Sequence, residues 1–196
     1  MKNIIKNTMI LTAITLVSGL LLGLVYEITK DPIAQAQEKA KQDAYRAVWD
    51  ADSYTTLEIA EVDLEENGCT VDEVVEATAA DGTTEAYVIT TTSSEGYGGN
   101  IQITVGIETA TGMVSGVQVL SISETAGLGM NAQKPEFNGQ YVGKQVDQFV
   151  VTKTGASSDN EIDAISGATI TSNAFTNAVN TALAYYNNAI GGSVNE

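Results

Sequence analysis

The chain has 196 residues, and 25 acidic against 9 basic side chains give it a formal net charge of −16. That length suits one domain with an appendage, and the acidic balance argues against nucleic acid as a partner, because phosphate backbones call for Lys and Arg. There is no His and one Cys, Cys69, which excludes a Ser-His-Asp triad, a His-ligated zinc or haem, an internal disulfide and a Cys-held iron–sulfur cluster.

Electron carriage by such a chain would therefore need an organic cofactor. Cys69 itself reads as a small structural residue, since free Cys is often buried.

Residues 7–26 carry no charge and are mostly Leu, Ile, Val, Ala, Thr and Gly. At helical rise this stretch spans a hydrocarbon core, so it reads as a transmembrane helix. Lys2 and Lys6 precede it and favour a cytoplasmic N-terminus over residues 1–6. A cleaved signal peptide is the rival. Ala34-Gln35-Ala36 resembles a cleavage site, but the apolar stretch is longer than a usual h-region and ends well before it.

Residues 27–50 read as a helical stalk. Asp31 can cap a helix whose first position is Pro32. Ala40, Ala44, Ala47 and Val48 form a modest apolar stripe, with Tyr45 and Trp49 on a neighbouring one. The folded domain is expected over residues 51–190 and a flexible tail over 191–196.

Short strands are expected at Leu57-Glu58-Ile59, Val71–Ala77 and Ala86–Thr92, with turns at Asn67-Gly68 and Asp81-Gly82. In the stretch Asn100–Glu108, Ile101, Ile103, Val105 and Ile107 alternate with Gln102, Thr104 and Gly106. This is the period of a half-buried strand. Thr111-Gly112 turns the chain into Met113–Ile122, which completes a hairpin. The loop Glu124–Gly129 follows directly. Its glycines permit a tight turn, and Leu128 can either face a ligand or plug the core. Phe137 and Tyr141 are expected to anchor the next segment. Phe149–Thr154 reads as a further strand. Lys153 at its end can meet a phosphate or simply be solvated.

The stretch Asp163-Ala164-Ile165-Ser166-Gly167-Ala168-Thr169-Ile170-Thr171-Ser172 is small and rich in hydroxyls. A helical period follows, through Phe175, Val179, Leu183 and Tyr186. Ser172 or Asn173 can cap that helix, which places Thr169 just before its N-terminus. Free N–H groups and the dipole favour a phosphate there. Gly and Ser before a helix are also the ordinary makings of a turn and a cap.

Asp163 to Thr169, as Asp-x-x-Ser-Gly-Ala-Thr, resembles the flavinylation motif of the FMN-binding domain family. Gly96-Tyr97-Gly98-Gly99 and Glu124-Thr125-Ala126-Gly127-Leu128-Gly129 resemble that family in the expected order, as does Phe137-Asn138-Gly139-Gln140-Tyr141-Val142-Gly143-Lys144. Ala126 stands where members often have Pro. In length and layout the chain is similar to the branch of G subunits in Rnf-type ion-translocating ferredoxin:NAD oxidoreductases.

The resemblance implies covalent FMN, esterified through its phosphate to Thr169 by a flavin transferase. It implies a phosphate near Thr169 and Thr171, with Ser166, Gly167, Ala168, Ser172 and Lys153 as further cofactor-binding residues. It also implies flavin contacts at Tyr97, Glu124, Thr125, Gly127 and Leu128. Asp163 and Ser166 would serve transferase recognition and turn shape. The implied partners are the membrane and iron–sulfur subunits of the complex, the transferase and the membrane, with the flavin domain outside the cytoplasm. Two alternatives stay open on the residues: an anchored, cofactor-free binding or assembly module, and a stand-alone flavoprotein of another respiratory chain. The expected fold class is α+β, with a mixed or antiparallel sheet and flanking helices, because strands and helices do not alternate as in a parallel sheet.

Overall fold

Alternating sequences joined by tight turns pair with their neighbours, and here five strands do so in chain order. The computed structural model describes residues 1–62, 64 and 67–191; of the tail expected at 191–196, residues 192–196 lie outside them. The architecture is α+β. Strands β1 (Ser53–Leu57), β2 (Cys69–Thr78), β3 (Thr84–Ser93), β4 (Ile101–Glu108) and β5 (Val114–Ile122) form one antiparallel meander. Gly82 (φ 83°) and Gly112 (φ 70°) close the β2–β3 and β4–β5 turns in the left-handed region, where a Cβ is strained. Two short strands, β6 (Val150–Thr152) and β7 (Glu161–Asp163), pair in parallel. A short helix, α2 (Pro135–Asn138), lies before β6 in the chain, and a long helix, α3 (Thr169–Tyr185), covers one sheet face.

The chain divides into two compact units, Met1–Lys41 and Gln42–Glu196. Apart from Met1, the first lies within α1 (Lys2–Val48), which is unbroken at Pro32. The expected helix start at Pro32 is therefore corrected. Strong helix formers flank it on both sides, so the ladder continues although Pro32 has no N–H to donate to Ile28. An 18-residue window of mean hydropathy 2.2 makes this helix long and apolar enough to cross a membrane, and none of that window is buried in the chain.

In the second unit, the face of the sheet under α3 carries Ile89, Ile101, Ile103, Val105 and Ile107 against Phe175, Val179 and Leu183, all buried. Beside them Tyr141 stacks on Phe175 (centroids 5.7 Å apart), and Phe149 meets Tyr141 edge-on at 5.0 Å. The half-buried reading of β4 is corrected: Thr104 and Gly106 on its other face are buried as well. The end of α1 covers that face. Tyr45 and Val48 pack on Val75, Ala77, Ala86 and Val88. Gly106 and Gly116 make room for them, since a Cβ on Gly116 would stand 2.8 Å from Val48 Cα. The Ser115 hydroxyl donates to the Val48 carbonyl (2.8 Å), and the Tyr45 hydroxyl to Glu73 (2.8 Å).

Leu57 ends β1, so Glu58 and Ile59 fall outside it. After α3 the chain continues as a wide helical turn, Tyr186–Ile190, with Ala189 and Ile190 packed on the core.

Tyr141 gives the domain a pH limit. It is fully buried, and its hydroxyl pairs with that of Thr176 at 2.8 Å. Burial pushes its pKa well above the ordinary tyrosine value, only partly offset by that hydrogen bond. A group with a raised folded pKa gives stability that is complete below its unfolded pKa and is lost as pH rises towards the folded one. Urea midpoints should therefore hold steady up to about pH 10, the unfolded tyrosine value, and fall above it. In Tyr141→Phe that alkaline fall should be shallower.

Candidate functional site

Three loops meet at one end of the sheet. The first, between β3 and β4, carries Tyr97. Its path depends on glycines: a Cβ on Gly98 would stand 2.1 Å from the Ser123 carbonyl, and one on Gly96 would stand 2.2 Å from Gly99 O. The second loop leaves β5. Leu128 N–H donates to the Thr125 carbonyl (3.1 Å) with Gly127 at φ 78°. That is the pattern of a type II turn with Gly at its third position and Ala126 at its second. Pro is favoured at that second position, so Ala126 and Pro serve the same turn there.

The third loop leads into α3. Ala168 N–H donates to the Ile165 carbonyl (2.9 Å) with Gly167 at φ 75°, again a type II pattern with Ser166-Gly167 at its tip. α3 starts at Thr169 with Ala168 before it and no side-chain cap. The expected cap at Ser172 or Asn173 is thus corrected, and Thr169 is the first helical residue. Ser172 is fully buried. Its hydroxyl accepts from Ile165 N–H (3.0 Å) and donates to the Ala168 carbonyl (2.9 Å). The helix ladder opens with Ser172 N–H to Ala168 O (3.0 Å). The N–H groups of Thr169, Ile170 and Thr171 precede it, as at any helix start.

These loops enclose a cleft of about 600 Å³, within the size range of small-molecule sites. Of the residues proposed from the sequence, Tyr97, Glu124, Thr125, Leu128, Gly167, Ala168, Thr169 and Thr171 line it together. Ser166, Gly127, Ser172 and Lys153 do not line it. Ser166 and Gly127 sit in the two turns, Ser172 ties the third loop, and Lys153 follows β6. Gly129 and Ile170 are lining residues that the sequence reading did not single out. Gly129 had a signal, since it ends the Glu124–Gly129 stretch. A Cβ there would stand 2.6 Å from Thr171 Oγ1 and 2.7 Å from Glu124 Oε2, so only a bare backbone fits between those side chains. Leu128 lies over Gly167, 3.2 Å from where its Cβ would be, and remains 42% exposed towards the cleft.

The polar groups of the cleft are poorly satisfied by the protein. Glu124 Oε1 is buried without a hydrogen-bond partner, a position that is costly unless a ligand supplies a donor. The Thr169 hydroxyl is half-buried and has no protein partner among the described residues. Among the described lining residues there is no Lys or Arg. An anionic ligand would meet only the free N–H groups and dipole of α3. Cys69 lies elsewhere, half-buried on β2. Burial pushes its thiol pKa up, against hydrogen bonds from Ser93 and Thr181 that lower it, which disfavours the reactive thiolate.

Residues 96–184 match the FMN-binding domain family, and residues 1–48 match the RnfG N-terminal region. The G subunit of a proton-translocating ferredoxin:NAD(+) oxidoreductase complex from Clostridium ljungdahlii is 36% identical over 93% of this chain and 91% of its own length. The chain belongs to the RnfG family. The G subunit of an ion-translocating oxidoreductase complex from Methanosarcina acetivorans is 32% identical, over 94% of this chain and 95% of its own. The Na(+)-translocating counterpart from Acetobacterium woodii is 29% identical, over 95% and 93%.

Among solved structures, the C subunit of a Na(+)-translocating NADH-quinone reductase from Parabacteroides distasonis has the same fold. Its TM-score is 0.54 at 19% identity, over 78% of this chain and 92% of that one. NqrC from Shewanella oneidensis scores 0.50 at 22% identity, over 59% of each chain. The RnfG match at the N-terminus ends at Val48, the last residue of α1 and the one that seats on Gly116. The FMN-binding match begins at Gly96 and so takes in all three cleft loops.

Proposed function

We propose that the chain is a membrane-anchored electron-transfer subunit of an Rnf-type ion-translocating ferredoxin:NAD oxidoreductase, with FMN joined covalently through its phosphate to Thr169. The observation that carries this reading is Thr169 itself: an unpartnered hydroxyl on the first turn of α3, facing a cleft of about 600 Å³ built from the three motif loops. The residues fit the group. The α3 N–H groups would hold the phosphate, Leu128 and Tyr97 offer apolar surface to the ring, and the orphaned Glu124 oxygen would accept from a donor on the flavin. Bound flavin would supply electron transfer, chemistry that no side chain here provides.

Charge explains why the link should be covalent. With a net charge of −16 and no basic residue in the wall among the described residues, the site would hold a free dianionic phosphate weakly. Esterification reduces that charge and makes retention independent of affinity. Forming the ester from free FMN in water is uphill, so the donor must be activated, as in flavin adenine dinucleotide. Thr169 would supply the acceptor oxygen, the activated flavin dinucleotide the phosphoryl group with AMP as the leaving group, and the flavin transferase the base that takes the hydroxyl proton.

Residues 7–26 would span the membrane, with residues 27–50 as a stalk between bilayer and domain. Lys2 and Lys6 would keep the N-terminus cytoplasmic and place the flavin outside. The electron partners are then the membrane and iron–sulfur subunits of the complex. Protein made together with its transferase should fluoresce on a denaturing gel and weigh one FMN, less one water, above the bare chain. Colourless protein at the unmodified mass would overturn this reading and leave a cofactor-free module.

A further inference from the structure

We propose that Gln140 is a positioning residue for flavin attachment: its side-chain amide clamps the backbone of Asp163 and so aims the segment that presents Thr169. This rests on Thr169 being the attachment site.

The segment Asp163–Thr169 is held by groups outside itself. At its entry, Asp163 N–H donates to Gln140 Oε1 at 2.7 Å, while Gln140 Nε2 donates to the Asp163 carbonyl at 3.3 Å. Next, Ala164 N–H donates to the Thr152 carbonyl (2.8 Å) and Ile165 N–H to the Ser172 hydroxyl (3.0 Å). The tip, Ser166-Gly167, is exposed. A primary amide carries a donor and an acceptor side by side, as a peptide does. Gln140 therefore takes the place of a neighbouring strand for Asp163.

β7 needs that support. Among the described residues it pairs with β6 alone, in parallel and over three residues, a short ladder of the weaker kind. The Asp163 carboxylate is engaged elsewhere, accepting from Ala156 N–H at 2.6 Å, so it does not brace its own backbone. Gln140 is itself well fixed. It lies between Phe137 and Tyr141, which are 4% and 0% exposed, and its Nε2 also donates to the Glu136 carbonyl at 3.3 Å. A rigid aromatic anchor is thereby joined through one side chain to the start of the attachment loop. Behind the loop, on the Gln140 side, lies a separate hollow of about 330 Å³ between Lys134, Gln140 and Asp163. The brace is thus not embedded in the core, and its loss need not unfold the domain.

Group transfer depends steeply on placement, since about 1 Å of misalignment can cost about 10²-fold in rate. Gln140 should therefore govern the rate of attachment and not its endpoint. The test uses the full chain, its flavin transferase and flavin adenine dinucleotide. Initial rates of covalent labelling are read by gel fluorescence and intact mass across transferase concentrations. Gln140→Leu removes both arms of the clamp. It should lower the maximal rate by about tenfold to a hundredfold, reach the same final mass, and leave Tm within a few degrees. Its Asp163 amide should lose hydrogen-exchange protection while that of Ile162 keeps it. Gln140→Glu retains the acceptor for Asp163 N–H and should recover part of the rate. Wild-type rates in Gln140→Leu would overturn the proposal while leaving the Thr169 reading intact. A fall in rate that merely tracks Tm in both variants would also overturn it. If wild-type protein takes no flavin, or Thr169→Ala still does, the reading beneath it fails instead.

Discussion

Thr169→Ala, made with its transferase, is expected to carry no covalent flavin at all, whereas Thr169→Ser keeps it. Four hydroxyls lie within seven residues of one another here, and their surroundings separate them. Thr171 is 1% exposed and beneath Gly129; Ser172 is fully buried and already bonded to Ile165 and Ala168. Ser166 is exposed on the turn tip and is not part of the cleft wall. Thr169 alone combines a cleft position, partial exposure and a free hydroxyl. Thr171→Ala should therefore still be labelled, and intact mass distinguishes the cases. The same experiment tests the charge argument. Thr169→Ala mixed with free FMN should lose it on dialysis, because no basic side chain lines the wall among the described residues. Tight, non-covalent retention would show that the tether is not what holds the flavin.

Much of the site was legible because its loops are made by glycines at positive φ. Gly127 and Gly167 each occupy the turn position that excludes a Cβ, and such positions leave a mark in sequence. Strands β4 and β5 were legible by alternation, and α3 by its period. What escaped has a common physical cause: the determining contact lies far away in the chain. Tyr45 and Val48 lie on modest neighbouring stripes that look alike whether they face lipid, a helix or a sheet. Only Gly106 and Gly116, some sixty residues on, reveal which. Ser172 has the composition of a cap, but the turn at Gly167 starts the helix earlier and sends its hydroxyl inward. β7 is too short to show a period. Gln140 acts through a side-chain bond to backbone, which leaves no pattern at all.

Chains shortened from the N-terminus should divide sharply between Gln42 and Ala51. A chain beginning at Gln42 keeps Tyr45 and Val48, which are 5% and 3% exposed over Val75, Ala77, Ala86 and Val88. One beginning at Ala51 exposes that sheet face. It also leaves the Ser115 hydroxyl without the Val48 carbonyl and Glu73 without the Tyr45 hydroxyl. Two buried side chains at about 1.5–3 kcal/mol each amount to a loss of about 3–6 kcal/mol. Set against a total stability of about 5–15 kcal/mol, that loss can unfold the domain. The Ala51 chain should thus show a much lower urea midpoint or precipitate, while the Gln42 chain should match the complete domain. Gly116→Val separates docking from mere length. Its new side chain would meet Val48 backbone, with the Cβ 2.8 Å from Cα, so in the Gln42 chain it should push the helix end away and destabilise. In the Ala51 chain there is no Val48 to meet, and a β-branched residue suits a strand, so the same substitution should be neutral or mildly stabilising. Equal effects in both chains would show that the fit between α1 and the glycine-floored face is not what stabilises the domain.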